Sequence, residues 1–135
     1  MDLVKALNVS ASGLKAQGTR LRVIAENIAN ADSTAQRPGA EPYRRRVVTF
    51  GNVLDRELGA ETVRVDDIVP DRSEFRRRFE PGHPAADDKG YVLTPNVNSL
   101  LEVADMREAQ RSYEANLKVI QSSRSMLQQT IDILR

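Results

Sequence analysis

Apolar residues recur every three or four positions at both ends of the chain, the spacing that places side chains on one face of a helix. After Pro95 the sequence contains neither proline nor glycine up to Arg135, so nothing in this stretch interrupts a helix. We therefore predict a helix from Asn96 to Arg135, roughly 60 Å long. A helix of that length is unusual for a compact domain of 135 residues.

The predicted C-terminal helix carries an apolar seam with the seven-residue repeat of coiled-coil packing. We interpret this seam as an assembly surface. Two polar residues, Gln110 and Arg124, interrupt it, and two explanations remain open: they are solvated where the seam loosens, or they set the register between helices. The apolar seam positions are Val103, Met106, Tyr113, Leu117, Ile120, Leu127, Ile131 and Leu134.

A second seam with the same repeat runs along the N-terminal segment and predicts another helix. Large residues occupy one line of this seam and mostly small residues the other, which allows a second helix to approach closely. The C-terminal helix is the obvious partner. Two glycines lower the intrinsic helicity by about 1 kcal/mol each relative to alanine, so we expect this helix to be marginal until it is packed. The seam positions are Leu7, Ala11, Leu14, Gly18, Leu21, Ala25 and Ile28.

Between the two predicted helices the sequence changes to short β-prone stretches separated by turn residues. Val47–Phe50, Thr62–Asp66, Phe75–Phe79 and Tyr91–Leu93 are each predicted to be strands. The predicted fold is therefore mainly α with a small β-rich insertion, and the long terminal helices pack as a coiled-coil-like pair. The corresponding segments are 1–36 (N-terminal helix), 37–95 (β-rich middle) and 96–135 (C-terminal helix).

The net charge and the cysteine count exclude several classes of protein. Twenty Lys and Arg against nineteen Asp and Glu leave a net charge of +1, far from the concentrated positive charge of a nonspecific nucleic-acid binder. The chain has no cysteine, so disulfides and thiolate metal sites are excluded. The first residues lack the continuous apolar run of a secretory signal, so any export is expected to use a route without signal cleavage.

No catalytic, cofactor or metal motif stands out in the sequence. His83 is the only histidine and is interpreted as a solvated loop residue, since a metal site would need further converging ligands. Asp66 and Asp67 would point to opposite faces of a strand, which is unsuitable for shared acid and base chemistry. We therefore predict that the protein is not an enzyme and needs no cofactor, metal or small-molecule substrate.

Two arginine triplets, residues 44–46 and 76–78, are the strongest local charges in the middle segment. One interpretation is a solvated strand face; the other is a basic surface that binds an acidic neighbour. The second interpretation supports an alternative function for the whole protein, that of a soluble helical adaptor or binding module whose arginine-rich middle grips an acidic partner.

The N-terminal segment also carries a recognisable signature. Asn27 and Asn30 are followed by Thr34 and, after a Pro-rich insertion, by the aromatic residue Tyr43. From the residues alone, the two asparagines at a helix end would make local side-chain hydrogen bonds. The spacing, however, resembles the N-terminal signature of the bacterial flagellar rod and hook axial proteins. Two further segments agree with that family, namely 80–98, which includes Asn96, and 106–116, which includes Tyr113 and Asn116.

The resemblance implies a structural subunit of the flagellar basal-body rod, the drive shaft for motility, with no catalysis. It implies long terminal helices that form part of a helical axial assembly within the periplasm. It also implies export by the flagellar type III apparatus. The partners implied are other copies of the chain, the rod proteins FlgB, FlgF and FlgG, and the adaptor FliE.

Overall fold

The computed structural model describes residues 2–135. Two long helices, α1 (Leu3–Ala29) and α2 (Ser99–Ile133), flank a β-rich middle in the described chain. The middle contains β1 (Arg46–Asp55), β2 (Ala60–Pro70), β3 (Arg76–Phe79) and β4 (Tyr91–Thr94). The predicted class, mainly α with a small β insertion, is confirmed.

Helix α1 begins where the side chain of Asp2 accepts a hydrogen bond from the Val4 amide at 3.0 Å, as an N-cap residue does. It ends at Ala29, and residues 30–32 form a turn. The last turn closes on Asn30, whose carbonyl accepts hydrogen bonds from the backbone amide and the hydroxyl of Ser33.

Helix α2 starts at Ser99 rather than at Asn96. The side chain of Asn98 accepts a hydrogen bond from the Leu100 amide at 3.1 Å and so caps the helix. The Asn96 side chain is engaged elsewhere, with Ser73 and the Asp71 carbonyl. The 35 residues of α2 span roughly 50 Å, and no proline or glycine interrupts them.

The four strands form two separate two-stranded sheets. In the first sheet, Thr49 hydrogen-bonds to the backbone of Asp67, and Thr62 to the carbonyl of Val53. Residue numbers therefore fall along β2 as they rise along β1, so the two strands form an antiparallel hairpin. In the second sheet, β3 and β4 are antiparallel, with Arg76 opposite Thr94 and Phe79 opposite Tyr91. Every predicted strand overlaps an observed one.

The chain divides into two compact units, each of which combines parts of all three predicted segments. Unit 1 consists of Met1–Leu21, Val48–Asp67 and Arg107–Arg135. In it, Gly13 of α1 lies against Asn116 of α2, and Arg20 pairs with Glu108 at 3.5 Å. The helix portions in unit 1 therefore run antiparallel. The hairpin joins α1 through a hydrogen bond from the Val63 amide to the Ser12 hydroxyl.

Unit 2 consists of Arg22–Val47 and Ile68–Met106. It holds most of the fully buried side chains of the described chain, among them Val23, Val92, Asn27 and Glu102. The interior of this unit therefore contains two polar side chains, those of Asn27 and Glu102, as well as apolar ones. No helix in the described part of the chain has the length and apolarity needed to cross a membrane.

Candidate functional site

Asn27, the first asparagine of the signature, lies at the centre of a buried polar network in unit 2. Its Oδ1 accepts hydrogen bonds from the Tyr43 hydroxyl and the Arg46 amide, and its Nδ2 donates to the Arg46 carbonyl and to Glu102. The side-chain amide thereby uses all its hydrogen-bonding capacity. The expectation of local hydrogen bonds was wrong for Asn27, because its partners lie 16 to 75 residues away along the chain.

Tyr43 closes this network from the loop that precedes β1. Its hydroxyl donates to Asn27 at 2.8 Å. Burial raises the pKa of Tyr43 above its usual value, and the nearby carboxylates of Glu26 and Glu102 act in the same direction against the opposing charge of Arg46. The neutral phenol is thus the form that this site stabilises, and it is the form that can donate to Asn27.

Glu102 is only 1% exposed and is the largest fully buried side chain described. Its carboxylate pairs with the guanidinium of Arg45, which also contacts Asp71 at 3.2 Å and Asp105 at 3.7 Å. Burial by itself would lower the pKa of Arg45, but the hydrogen bonds and charges of Glu102 and Asp71 outweigh it and raise that pKa. The buried Glu102 carboxylate is therefore paired with a positively charged guanidinium, as a buried carboxylate requires.

Asp71 ties the start of β1 to the loop that precedes β3. A hydrogen bond from the Ser73 amide is the main cause of its lowered pKa. Burial opposes this effect, and the Ser73 side chain and the neighbouring Arg45 add to the lowering. The Asp71 carbonyl in turn accepts hydrogen bonds from Asn96 and Arg44. Asn96 also accepts one from the Arg45 amide. The signature residue Asn96 therefore serves the same network.

The other residues of the signature behave differently from Asn27. Asn30 makes the expected local bond, from its side-chain amide to the Glu26 carbonyl. Thr34 contacts Nε2 of His83 at 3.2 Å, and Nδ1 of that ring accepts from the Ala85 amide. His83 lies in a loop, as expected, but it is only partly exposed. The half-buried imidazole joins two loops of unit 2.

The first arginine triplet is occupied by contacts within the chain. Arg44 stacks over the Phe75 ring at 4.2 Å, and Arg46 pairs with Glu26 at 3.3 Å. Together with the network around Arg45, these contacts make residues 44–46 structural rather than a free basic face. In the second triplet, Arg78 pairs with Glu80, and the charge of Arg77 helps to lower the pKa of Asp87.

In α1, none of the predicted seam positions is fully buried. Within unit 1, Leu7, Leu14, Gly18 and Leu21 are partly exposed and Ala11 is exposed. Within unit 2, Ala25 is exposed and Ile28 is partly exposed.

The predicted seam of α2 is more open still. In unit 1, Tyr113, Leu117, Ile131 and Leu134 are exposed, by 37 to 82% of their surface, whereas Ile120 and Leu127 are partly exposed. In unit 2, Val103 is exposed and Met106 partly so. These apolar surfaces remain available to another molecule.

A stripe of small residues outside the predicted seams includes Gly13, which lies against Asn116 of α2 in unit 1. A Cβ atom added to Gly13 would lie 2.8 Å from the Asn116 side chain, so only glycine fits without a shift. Ser10 and Ala16 are buried on α1, and Ala109 and Ser123 on α2. A repeat of small residues every three or four positions was the signal that could have revealed this stripe.

No group of three or more potential metal ligands occurs among residues 2–135. The polar network of unit 2 instead has a structural role. The Asn27 amide, the Tyr43 phenol and the ion pair of Glu102 with Arg45 connect the end of α1, the start of α2 and the loops that precede β1 and β3.

The chain is similar to known flagellar rod proteins at both ends and along its full length. A family model described as flagella basal body rod protein matches residues 7–35, and one described as flagellar basal body rod FlgEFG protein C-terminal matches residues 88–133. The flagellar basal-body rod protein FlgC of Agrobacterium fabrum is 53% identical over 98% of this chain and 96% of its own length. The chain belongs to the FlgC family of flagellar basal-body rod proteins.

More distant members of the FlgC family cover the chain equally well. The FlgC of Borreliella burgdorferi is 40% identical over 100% of this chain and 99% of its own length. The FlgC of Escherichia coli O6:H1 is 38% identical over 98% of both chains. The match to the FlgC family therefore extends through the β-rich middle and both helices, and the resemblance read from the signature residues is confirmed.

Proposed function

We propose that this protein is a structural subunit of the proximal flagellar rod that transmits torque and has no catalytic role. Membership of the FlgC family supports a rod subunit. The observation that carries the proposal is the exposed apolar surface of α2, since a helix in an isolated soluble domain normally buries its large apolar residues.

The exposed seam suits lateral contacts between subunits. Burial of apolar surface contributes about 25 cal/mol per Å², so Tyr113, Leu117 and Ile131 contribute fully only when a neighbouring subunit covers them. Contacts between different surfaces of identical or related subunits propagate as a helix when the rotation does not close. In this proposal α1 and α2 of many subunits build the axial assembly, and the segments 1–36 and 96–135 supply its helices.

The proposed neighbours are other copies of the chain, the rod proteins FlgB, FlgF and FlgG, and the adaptor FliE. The proposed location is the periplasmic part of the basal body, reached through the flagellar type III export apparatus. These assignments rest on membership of the family and on the exposed seams.

Complementation of a gene deletion tests the proposal, in a strain that carries no second copy of the gene. We expect the deletion strain to be non-motile and to form basal bodies without a completed rod, as seen by electron microscopy. The wild-type gene should restore both. A deletion strain that is motile and has complete rods would contradict the proposal.

The seam itself is tested by Leu117→Asp, with Ser122→Asp as the matched control. Both positions are exposed on α2, and both changes add one negative charge. We expect Leu117→Asp to fold and be exported but to fail to restore rods, because a buried carboxylate in a subunit contact is strongly unfavourable. Ser122→Asp should restore motility. Equal activity of the two variants would exclude the seam as an interface.

A further inference from the structure

No further inference is drawn: the strongest candidate, the apolar cavity of about 490 Å³ in unit 1 that Lys5, Val9, Gly59 and Val119 line beside the first turns of α1, carries none because nothing in the structure shows what covers it.

Discussion

The hydroxyl of Tyr43 donates a 2.8 Å hydrogen bond to Oδ1 of Asn27 across 16 residues of the chain. This bond joins the end of α1 to the loop that leads into β1. Because Asn27 also contacts Glu102 near the start of α2, one side chain connects three parts of unit 2. The signature residues Asn27 and Tyr43 therefore hold these parts of unit 2 together.

Asn27→Ala should strongly destabilise the protein, because it leaves several buried groups without partners. Each such group costs about 1–3 kcal/mol, and we expect a total loss of about 3–5 kcal/mol in the free energy of unfolding. Asn30→Ala is the control, since Asn30 makes only a local bond to the Glu26 carbonyl, and should cost below about 1 kcal/mol. Urea unfolding of both variants measures the difference, and similar losses would contradict the central role of Asn27.

Removing Arg45 should cost more than removing Glu102, although the two residues form one ion pair. Arg45→Met leaves the Glu102 carboxylate buried without a counter-charge, for which we expect a loss of about 3–5 kcal/mol. Glu102→Met leaves Arg45, which is 24% exposed, still paired with Asp71 and Asp105. The double variant should therefore be more stable than Arg45→Met alone.

Denaturant unfolding of the two single variants and the double variant tests this order. Arg46→Met is the control, because the side chains of the ion pair of Arg46 with Glu26 are 46% and 35% exposed and the pair is expected to contribute below about 1 kcal/mol. A double variant as unstable as the sum of the single variants would show that Arg45 and Glu102 are not coupled.

Asp71 should make the protein sensitive to acid. The pKa of Asp71 is lowered in the folded state by the Ser73 amide and by Arg45, so the folded state favours the ionised carboxylate. Its stabilising contribution is present above the unfolded pKa and is lost as the pH falls through the lowered folded pKa. Asp71→Asn should thus destabilise at pH 7 by about 1 kcal/mol, and the difference from the wild type should shrink below pH 4. A difference independent of pH between pH 2 and 7 would contradict this account.

Gly18→Ala and Gly13→Ala should differ in stability although both remove a glycine from α1. A Cβ atom at Gly18 meets no atom within 4 Å, so the change should stabilise the protein by about 1 kcal/mol through helix propensity. At Gly13 the same atom displaces the Asn116 amide, which donates to the Ser112 carbonyl. Thermal unfolding should place Gly13→Ala clearly below Gly18→Ala, and equal stabilities would show that the contact of Gly13 with Asn116 is not tight.

Periodicity in the sequence determined the two helices, the β-rich middle and the strand positions, because these depend on local spacing and on the residues that break helices. The signature at Asn27, Asn30 and Thr34 determined the family. Local chemistry also predicted the bond of Asn30, whose partner lies one helical turn away.

Only the tertiary structure decided which polar residues act together. The partners of Asn27, Glu102 and Asn96 lie far along the chain, and no local pattern encodes a hydrogen bond between such distant residues. The two arginine triplets look alike in sequence, yet one is occupied by Phe75, Glu102 and Glu26 while the other stays exposed. Burial made that difference, because a charged side chain enters the interior only where the fold brings its partners to it.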